Sequence, residues 1–139
     1  MTDYNKVEEL LEEYANLDIE IKGLEYQIKI EGVKGISYND MPGSPLPSNK
    51  SPIENELNKI RKLKDDKLYL EIKKEAIDNM LRILDESEHK LIILKYIKKL
   101  SNQQIASQMH MHENSISNKK KNILIKLYPY AMKHKLIKS

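Results

Sequence analysis

The feature that most constrains the fold is a regular spacing of apolar residues near the start of the chain. Between residues 7 and 28 they recur at alternating steps of three and four, at Val7, Leu10, Tyr14, Leu17, Ile21, Leu24 and Ile28. This heptad spacing is typical of a helix whose apolar seam packs against another helix. Residues 1–31 also carry nine acidic side chains, and several of these fall off the seam, on the wet face. We therefore predict an acidic heptad helix over 1–31.

The next segment, residues 32–51, is rich in glycine and proline. It holds three of the four glycines and three of the five prolines of the chain. These residues interrupt helices and central strands, so we predict a linker here. A connection of this length is long for two packed helices, and the linker is therefore either disordered or held by a specific contact.

A second long helix is predicted over 52–86. Ser51 can cap it, Pro52 suits its first position, and Glu54 completes a capping box. Neither glycine nor proline occurs from 53 to 86. Two long helices joined by a linker form either an antiparallel hairpin or an intermolecular coiled coil, and the spacing is compatible with both.

Beyond residue 86 the pattern changes to shorter helices. The first is predicted over 88–100, and a second begins after Ser101, because Gln104 completes a capping box with it. After a turn at 110–112, a third helix is predicted over 113–127, before Pro129. Two helices joined by a three-residue turn and preceded by a supporting helix predict a helix-turn-helix in an all-α protein.

The apolar residues of this region indicate how the three helices pack. Ala106 is small enough for a close helix crossing, Ile105 and Ile116 lie beside it, and Met111 can fold the turn onto the core. The residues predicted to face inward on the flanking helices are Leu91, Ile92, Leu94, Ile97, Ile123, Leu124 and Leu127.

Charge is distributed unevenly along the chain. The formal net charge is +3, yet residues 87–139 carry eleven lysines and only two acidic residues. Such asymmetry indicates that the basic end meets a polyanion, usually nucleic acid. There are 22 lysines but only two arginines, Arg61 and Arg82, and both precede the helix-turn-helix.

Several of these residues resemble a known family. The resemblance to the fourth region of bacterial sigma factors lies in Leu84, Glu88, Leu91, Ile92, Leu94, Lys95, Tyr96, Leu100, Ser101, Gln104, Ile105, Ala106, Met109, Met111, Ser115 and Ile116. The linker residues 35–42, after an acidic heptad helix, are similar to small phage-encoded regulators of the RinA-like and ArpU-like kind. The resemblance implies that the last helix enters the major groove of DNA, and that the acidic helix mediates homodimerisation or contacts RNA polymerase.

The candidate contacts to double-stranded DNA fall into two groups. The resemblance implies base contacts from Glu113, Asn114, Ser117 and Asn118, and side-chain chemistry adds Gln103, Gln104 and Lys121. Phosphate contacts are predicted for Lys98, Lys99, Ser101, Lys119, Lys120 and Lys126, and Lys121 can also meet a phosphate, so that six lysines are candidates. Because neither arginine lies in the helix-turn-helix to read guanine, the Asn and Gln side chains favour an A·T-leaning target.

Other functions are considered against this one. A small subunit of a phage terminase also combines a helix-turn-helix with a coiled coil, and a coiled-coil adaptor without DNA binding accounts for the heptads alone.

An enzyme is not expected, because no phosphate loop, nucleophile elbow or cysteine is present. His110 and His112 fit a turn better than a metal site, so neither a metal nor a cofactor is predicted. Without a membrane-length apolar run or a secretory signal, we expect a cytoplasmic protein of a bacterial host, encoded by the host or by a prophage.

Overall fold

The computed structural model describes residues 4–39 and 51–138, and only the backbone for 35–39 and 51–53. Its helices are α1 (Tyr4–Asn39), α2 (Ser51–Leu81), α3 (Glu86–Ile92, followed by a π-helical turn over Ile93–Ile97), α4 (Asn102–Met109) and α5 (Glu113–Lys133). No strand occurs in these described ranges. The predicted all-α fold is therefore confirmed.

The chain divides into two compact units, and each contains part of both long helices. The hairpin unit comprises Leu17–Ile72, and the head unit comprises Met1–Asn16 together with Lys73–Ser139. The head unit is thus larger than the predicted 87–139 segment, because the first turns of α1 and the last turns of α2 supply part of its core.

In the hairpin unit, α1 and α2 run antiparallel. Glu31 pairs with Lys59 at 3.1 Å, and Glu25, earlier in α1, pairs with Lys67, later in α2, at 3.6 Å. The predicted seam lies between the helices, with Leu17 and Ile21 buried. Leu24 and Ile28 are half-buried along the same line. Within one chain, therefore, the two helices form the hairpin that was one of the two predicted arrangements.

The head unit has one continuous apolar core. Its side chains come from every helix, and those with the least exposure are Val7, Leu11, Ile77, Met80, Leu81, Leu91, Ile92, Ile105, Ile116, Ile123, Leu127 and Ala131. The ends of the two long helices are also joined through polar side chains, because the Tyr14 hydroxyl donates to Asp78 and Lys73 pairs with Glu13. The three C-terminal helices are thus packed on a platform made by α1 and α2.

The predicted helix boundaries need correction at α1. The helix does not end at residue 31 but continues through Gly32 and Gly35 to Asn39. A glycine inside a helix costs only about 1 kcal/mol relative to alanine, which neighbouring residues can offset. The prolines of the linker begin only at Pro42. The remainder of the predicted linker, 40–50, lies outside the described residues.

The boundary between α2 and α3 is also different from the prediction. Helix α2 ends at Leu81 instead of 86, because Asp85 is the N-cap of α3 and its extended backbone cannot belong to a helix. The Asp85 carboxylate accepts a hydrogen bond from the Glu88 backbone N–H at 2.8 Å. In return, the Glu88 carboxylate accepts one from the Asp85 backbone N–H at 2.9 Å. The supporting helix therefore begins at Glu86, two residues earlier than predicted.

Ile97 was predicted to face inward, and this is wrong. The π-helical turn over Ile93–Ile97 places more residues in one turn and rotates the positions that follow. Tyr96 consequently points into the head unit with 5% exposure, whereas Ile97 is 40% exposed.

The predicted end of α5 at Leu127 is wrong as well. The helix continues through Pro129 to Lys133. Proline removes a hydrogen bond to the carbonyl four residues earlier, here that of Ile125. Pro129 and Ile125 are both exposed, so water can replace the lost donor. Leu127 and Ala131 are buried on the opposite side and hold the helix in place.

Candidate nucleic-acid interface

The helix-turn-helix is formed by α4, a three-residue turn and α5. The Ser101 hydroxyl accepts from the Gln104 backbone N–H at 3.2 Å, and the Gln104 side chain accepts from that of Ser101 at 2.9 Å. His110 adopts the left-handed conformation with φ of 56°, where glycine is usual. The next residue, Met111, donates its backbone N–H to the Ala106 carbonyl at 2.9 Å. The predicted capping box and turn are confirmed.

The helix crossing also agrees with the prediction. Ile105 and Ile116 have no exposed surface, and Ala106 lies buried beside them. Met111 is half-buried against this core. The angle between α4 and α5 is consequently fixed by packing, which gives the exposed face of α5 a defined orientation within the head unit.

That exposed face of α5, which we call the reading face, is polar. It comprises Glu113, Asn114, Ser117, Asn118 and Lys121, all exposed. Steps of three and four residues place these positions on neighbouring rows of one side of the helix. The buried residues Ile116, Ile123 and Leu127 occupy the other side. The structure therefore brings five of the seven predicted base-contact residues together on one helix.

The other two, Gln103 and Gln104, lie in the first turn of α4. Both are exposed, but the side-chain oxygen of Gln104 is engaged in the capping box described above. The hydroxyl of Ser101, a predicted phosphate contact, is engaged in the same box. Gln103 carries no such role and is the stronger candidate of the pair for a base contact.

Asn102, which the sequence reasoning did not single out, links α4 to the reading face. Its side-chain amide donates to the Ser117 hydroxyl at 3.2 Å, and its side-chain oxygen accepts from Lys95 at 3.1 Å. These three side chains connect the supporting helix, α4 and α5 in one polar chain. The only sequence signal for Asn102 is its place directly after the N-cap, where a side chain emerges beside the start of the next helix.

The predicted phosphate-contacting lysines are in two different situations. Lys98, Lys99 and Lys121 are exposed, and Lys119 is half-buried. Lys120 instead donates to the Glu8 carboxylate at 2.9 Å, and Lys126 donates to Glu88 at 2.9 Å. For Lys120 or Lys126 to contact a phosphate, each would have to leave a carboxylate of its own chain.

The position of Lys120 explains its partner. It follows Ile116 by four residues and precedes Ile123 by three, so its stem lies on the inward side of α5. A lysine in such a place buries its carbon chain and extends its ammonium group to the edge of the core. There it meets Glu8 of α1, which also accepts from the buried Tyr96 hydroxyl at 2.6 Å. Glu8 thus joins α1 both to the π-helical turn after α3, through Tyr96, and to α5, through Lys120.

These contacts shift two pKa values. Partial burial raises the pKa of Glu8. The hydrogen bonds from Tyr96 and Lys120 and the positive charges of Lys120 and Lys95 together lower it by more, so the pKa lies below its ordinary value. Burial, followed by the hydrogen bond to the Glu8 carboxylate, raises the pKa of Tyr96 far above its ordinary range. At neutral pH, therefore, Glu8 is charged and Tyr96 is protonated.

A Glu8→Gln variant is expected to be less stable at neutral pH by about 1 kcal/mol, a value reduced for the partial exposure of the pair. The pKa of Glu8 is lower in the folded state than in the unfolded state. The charged carboxylate therefore stabilises the fold above the unfolded-state pKa, and this stabilisation is lost as pH falls through the folded-state pKa. The difference between wild type and variant should therefore shrink below about pH 4.5, the ordinary value of a glutamate. Urea unfolding from pH 7 to pH 3 measures it. Glu9→Gln, an exposed neighbour, is the control, and an equal effect of both variants would show that only net charge matters.

Two features are absent from the described part of the chain, a group of metal ligands and a membrane-spanning helix. There, no three side chains among His, Asp and Glu come together as metal ligands. Nor does any helix within residues 4–39 and 51–138 have the length and apolar character to span a membrane.

Comparison with protein families gives a match over most of the chain. Residues 2–129 match the family described as protein of unknown function (DUF722). No curated protein matches the chain, and no solved structure does.

Proposed function

The chain belongs to the DUF722 family of proteins of unknown function, and we propose that it binds double-stranded DNA through the reading face of α5. The observation that carries this proposal is a row of exposed Asn, Ser and Lys side chains on a helix whose orientation is fixed by the buried crossing at Ile105 and Ile116. An α-helix fits the major groove, and its first turns are the part that meets base edges. The proposed role is transcription regulation in a bacterial cytoplasm, of the phage-encoded, sigma-like kind.

Base recognition is assigned to the amide side chains of this face. Asn114 and Asn118 are four residues apart and therefore lie on one row along the helix. An asparagine amide can donate to and accept from adenine at the same time, in the major groove. Lys121 continues the exposed face one turn later. The two arginines, Arg61 and Arg82, lie outside the helix-turn-helix. These side chains support an A·T-leaning site.

Phosphate contacts are assigned to four lysines on or beside the reading face, namely the exposed Lys98, Lys99 and Lys121 and the half-buried Lys119. Lys98 and Lys99 precede α4, and Lys119 lies on the flank of α5 beside Lys121. Lys120 and Lys126 are assigned to the protein's own ion pairs instead, with Glu8 and Glu88. Four lysines rather than six therefore define the expected electrostatic footprint.

A contact with RNA polymerase is the second part of the proposal, and it rests on the resemblance to sigma-like regulators. Glu9, Glu12 and Glu20 of α1 are exposed and acidic. Such carboxylates are repelled by DNA phosphates and are suited to a basic protein surface. Light scattering of the protein mixed with polymerase, with and without DNA, tests this part independently of DNA binding.

The salt dependence of DNA binding tests the footprint. With about four phosphate contacts, log affinity should fall against log salt with a slope of roughly −3.6. Lys121→Ala should reduce the magnitude of the slope by about 1. Lys120→Ala should leave the slope unchanged and lower the stability of the head unit, because its ammonium group serves Glu8.

Fluorescence anisotropy of a labelled duplex, titrated at several salt concentrations, gives these slopes. A slope near zero for the wild-type protein would contradict DNA binding altogether. An equal loss of slope in Lys120→Ala and Lys121→Ala would show that Lys120 leaves Glu8 for phosphate, and would overturn the assignment of Lys120 alone.

A further inference from the structure

Helix α1 carries a second apolar row that α2 does not cover. It consists of Ile19, Tyr26, Ile30 and Val33, whose side chains are between 54% and 71% exposed. The steps between them are seven, four and three residues, which is again heptad spacing. At 100° per residue this row lies about half a turn away from the seam of Leu17, Ile21 and Leu24 that packs on α2.

The row is continuous, and this distinguishes it from the apolar residues on the outer side of α2. Gly23 is the only further member of the row between Ile19 and Tyr26, so no charge interrupts it. On α2 the exposed apolar residues are Leu57, Leu68, Tyr69 and Ile72, and Arg61 and Asp65 separate Leu57 from the other three, so the apolar stretch there is confined to 68–72. An uninterrupted exposed row on a long helix is a helix-packing surface, and no helix among residues 4–39 and 51–138 covers it.

The row is complementary in size to itself when two copies run antiparallel. When Ile19 of one copy lies opposite Ile30 of the second copy, Tyr26 of the first lies opposite Gly23 of the second. The two-fold axis between the copies produces each of these two pairs a second time. Gly23 has no side chain, and nothing lies within 4 Å of the place where a Cβ would stand. The largest side chain of the row thus meets its smallest residue. A parallel, in-register pair would instead place Tyr26 on Tyr26 and leave Gly23 facing Gly23.

Charges beside the row are compatible with this direction. In the antiparallel register Glu20 shares one flank with Gln27 and, further along the axis, Lys34 of the second copy, twice by symmetry. The other flank brings Lys22 near Lys29 of the second copy, and Lys22 is paired within its own chain with Glu25 at 3.5 Å. A parallel pair would place Lys29 beside Lys34 on both flanks, where like charges repel, and would leave Glu20 without a basic residue of the second copy beside it. Lys34 can turn toward the second copy, because Glu31 retains Lys59 at 3.1 Å.

We propose that this row is the homodimer interface of the protein, with a second copy of α1 packed antiparallel on it. The inference does not depend on DNA binding, because every residue that carries it lies in the hairpin unit. It specifies which face of the acidic helix dimerises, in which direction, and with which side chain inserted.

Sedimentation velocity of the full chain tests the interface. The wild-type protein should dimerise, and Tyr26→Ala should raise the dissociation constant by about thirtyfold, the effect of truncating a central aromatic residue. Leu57→Ala is the matched control, since Leu57 is as exposed as Tyr26 but lies on α2. A wild-type protein that stays monomeric at its highest soluble concentration, or equal weakening by both substitutions, would overturn the proposal.

Cross-linking tests the direction, and the absence of cysteine from the chain makes it clean. Disulfides should form when the Ile19→Cys and Ile30→Cys variants are mixed, because these positions face each other between antiparallel copies. Neither variant should cross-link readily on its own. Cross-linking of each variant with itself, and not in the mixture, would show a parallel pair and overturn the register. DNA affinity of the Tyr26→Ala monomer can be measured separately, so failure of the dimer and failure of DNA binding are distinguishable.

Discussion

Replacing Leu11 with alanine is expected to destabilise the helix-turn-helix by about 2 to 5 kcal/mol, although the residue lies in the first helix. Leu11 has no exposed surface and belongs to the core of the head unit, with Val7 and Leu10 as buried neighbours in the sequence. Shortening it leaves a cavity between α1 and the C-terminal helices, and both the lost burial and the cavity cost free energy. If 87–139 folded as a separate domain, the same change would leave it untouched.

Urea unfolding and hydrogen exchange of the α5 backbone amides measure this effect. The backbone amides around Ile123 and Leu127 should exchange faster in Leu11→Ala than in wild type. The ratio of the exchange rates should correspond to the lost free energy of unfolding, because these amides exchange when the head unit unfolds cooperatively. Glu9→Ala, an exposed change two residues earlier, should stay within about 0.5 kcal/mol of wild type. Unchanged exchange of α5 in Leu11→Ala would mean that α1 is not part of its core.

Replacing Asn118 with alanine is expected to cost about 1 to 3 kcal/mol of binding free energy on the specific DNA site and little on random DNA. Asn118 is exposed at the centre of the reading face, between Asn114 and Lys121. An asparagine that bonds a base edge discriminates between bases, whereas a phosphate contact lowers all affinities equally. The difference between the two losses is therefore the informative quantity.

Asn122→Ala is the matched control for this experiment. Asn122 is also exposed on α5 and continues the row of Asn114 and Asn118, but it lies one turn further from the start of the helix, beyond the first turns that meet base edges. Anisotropy titrations on the selected and on a scrambled duplex, at one salt concentration, give the four values needed. Equal losses for Asn118→Ala on both duplexes would show that this residue contacts only the backbone.

The parts of the fold that follow from neighbouring residues could be predicted from the sequence. The capping box of Ser101 and Gln104 involves only four consecutive residues. The turn at His110 lies between the apolar pattern of α4 and that of α5, so its place could be predicted as well. Likewise the inward positions of Ile105, Ile116 and Ile123 follow from helical periodicity alone. The reading face is the complement of that periodicity, so its members could be named in advance.

Other features depend on competition between local signals. Asp85 and Glu88 form as good a capping box as Ser101, but an unbroken run of helix-forming residues before them concealed the end of α2. Gly32 and Pro129 suggested ends of helices that in fact continue, because tertiary packing outweighs a modest local cost. The π-helical turn buries Tyr96 and exposes Ile97. The spacing of apolar residues in the sequence does not indicate this turn.

The contact between Glu8 and Lys120 could not be predicted, because the two residues are 112 positions apart. Its consequence is functional. Net charge along the sequence suggested an acidic helix separate from a basic DNA-binding end, whereas α1 up to Asn16 belongs to the head unit. Lys120, which is predicted to bind phosphate, is paired with Glu8 of α1 in the structure.

The most direct test of the central claim, that the reading face binds a specific duplex, is selection of binding sites from a library of random double-stranded DNA with the full-length protein. We expect enrichment of one A·T-leaning motif, with an Asn118→Ala variant losing preference at one position of it while an Asn122→Ala variant selects the same motif as wild type. A library that shows no enrichment after repeated selection at moderate salt would contradict the claim.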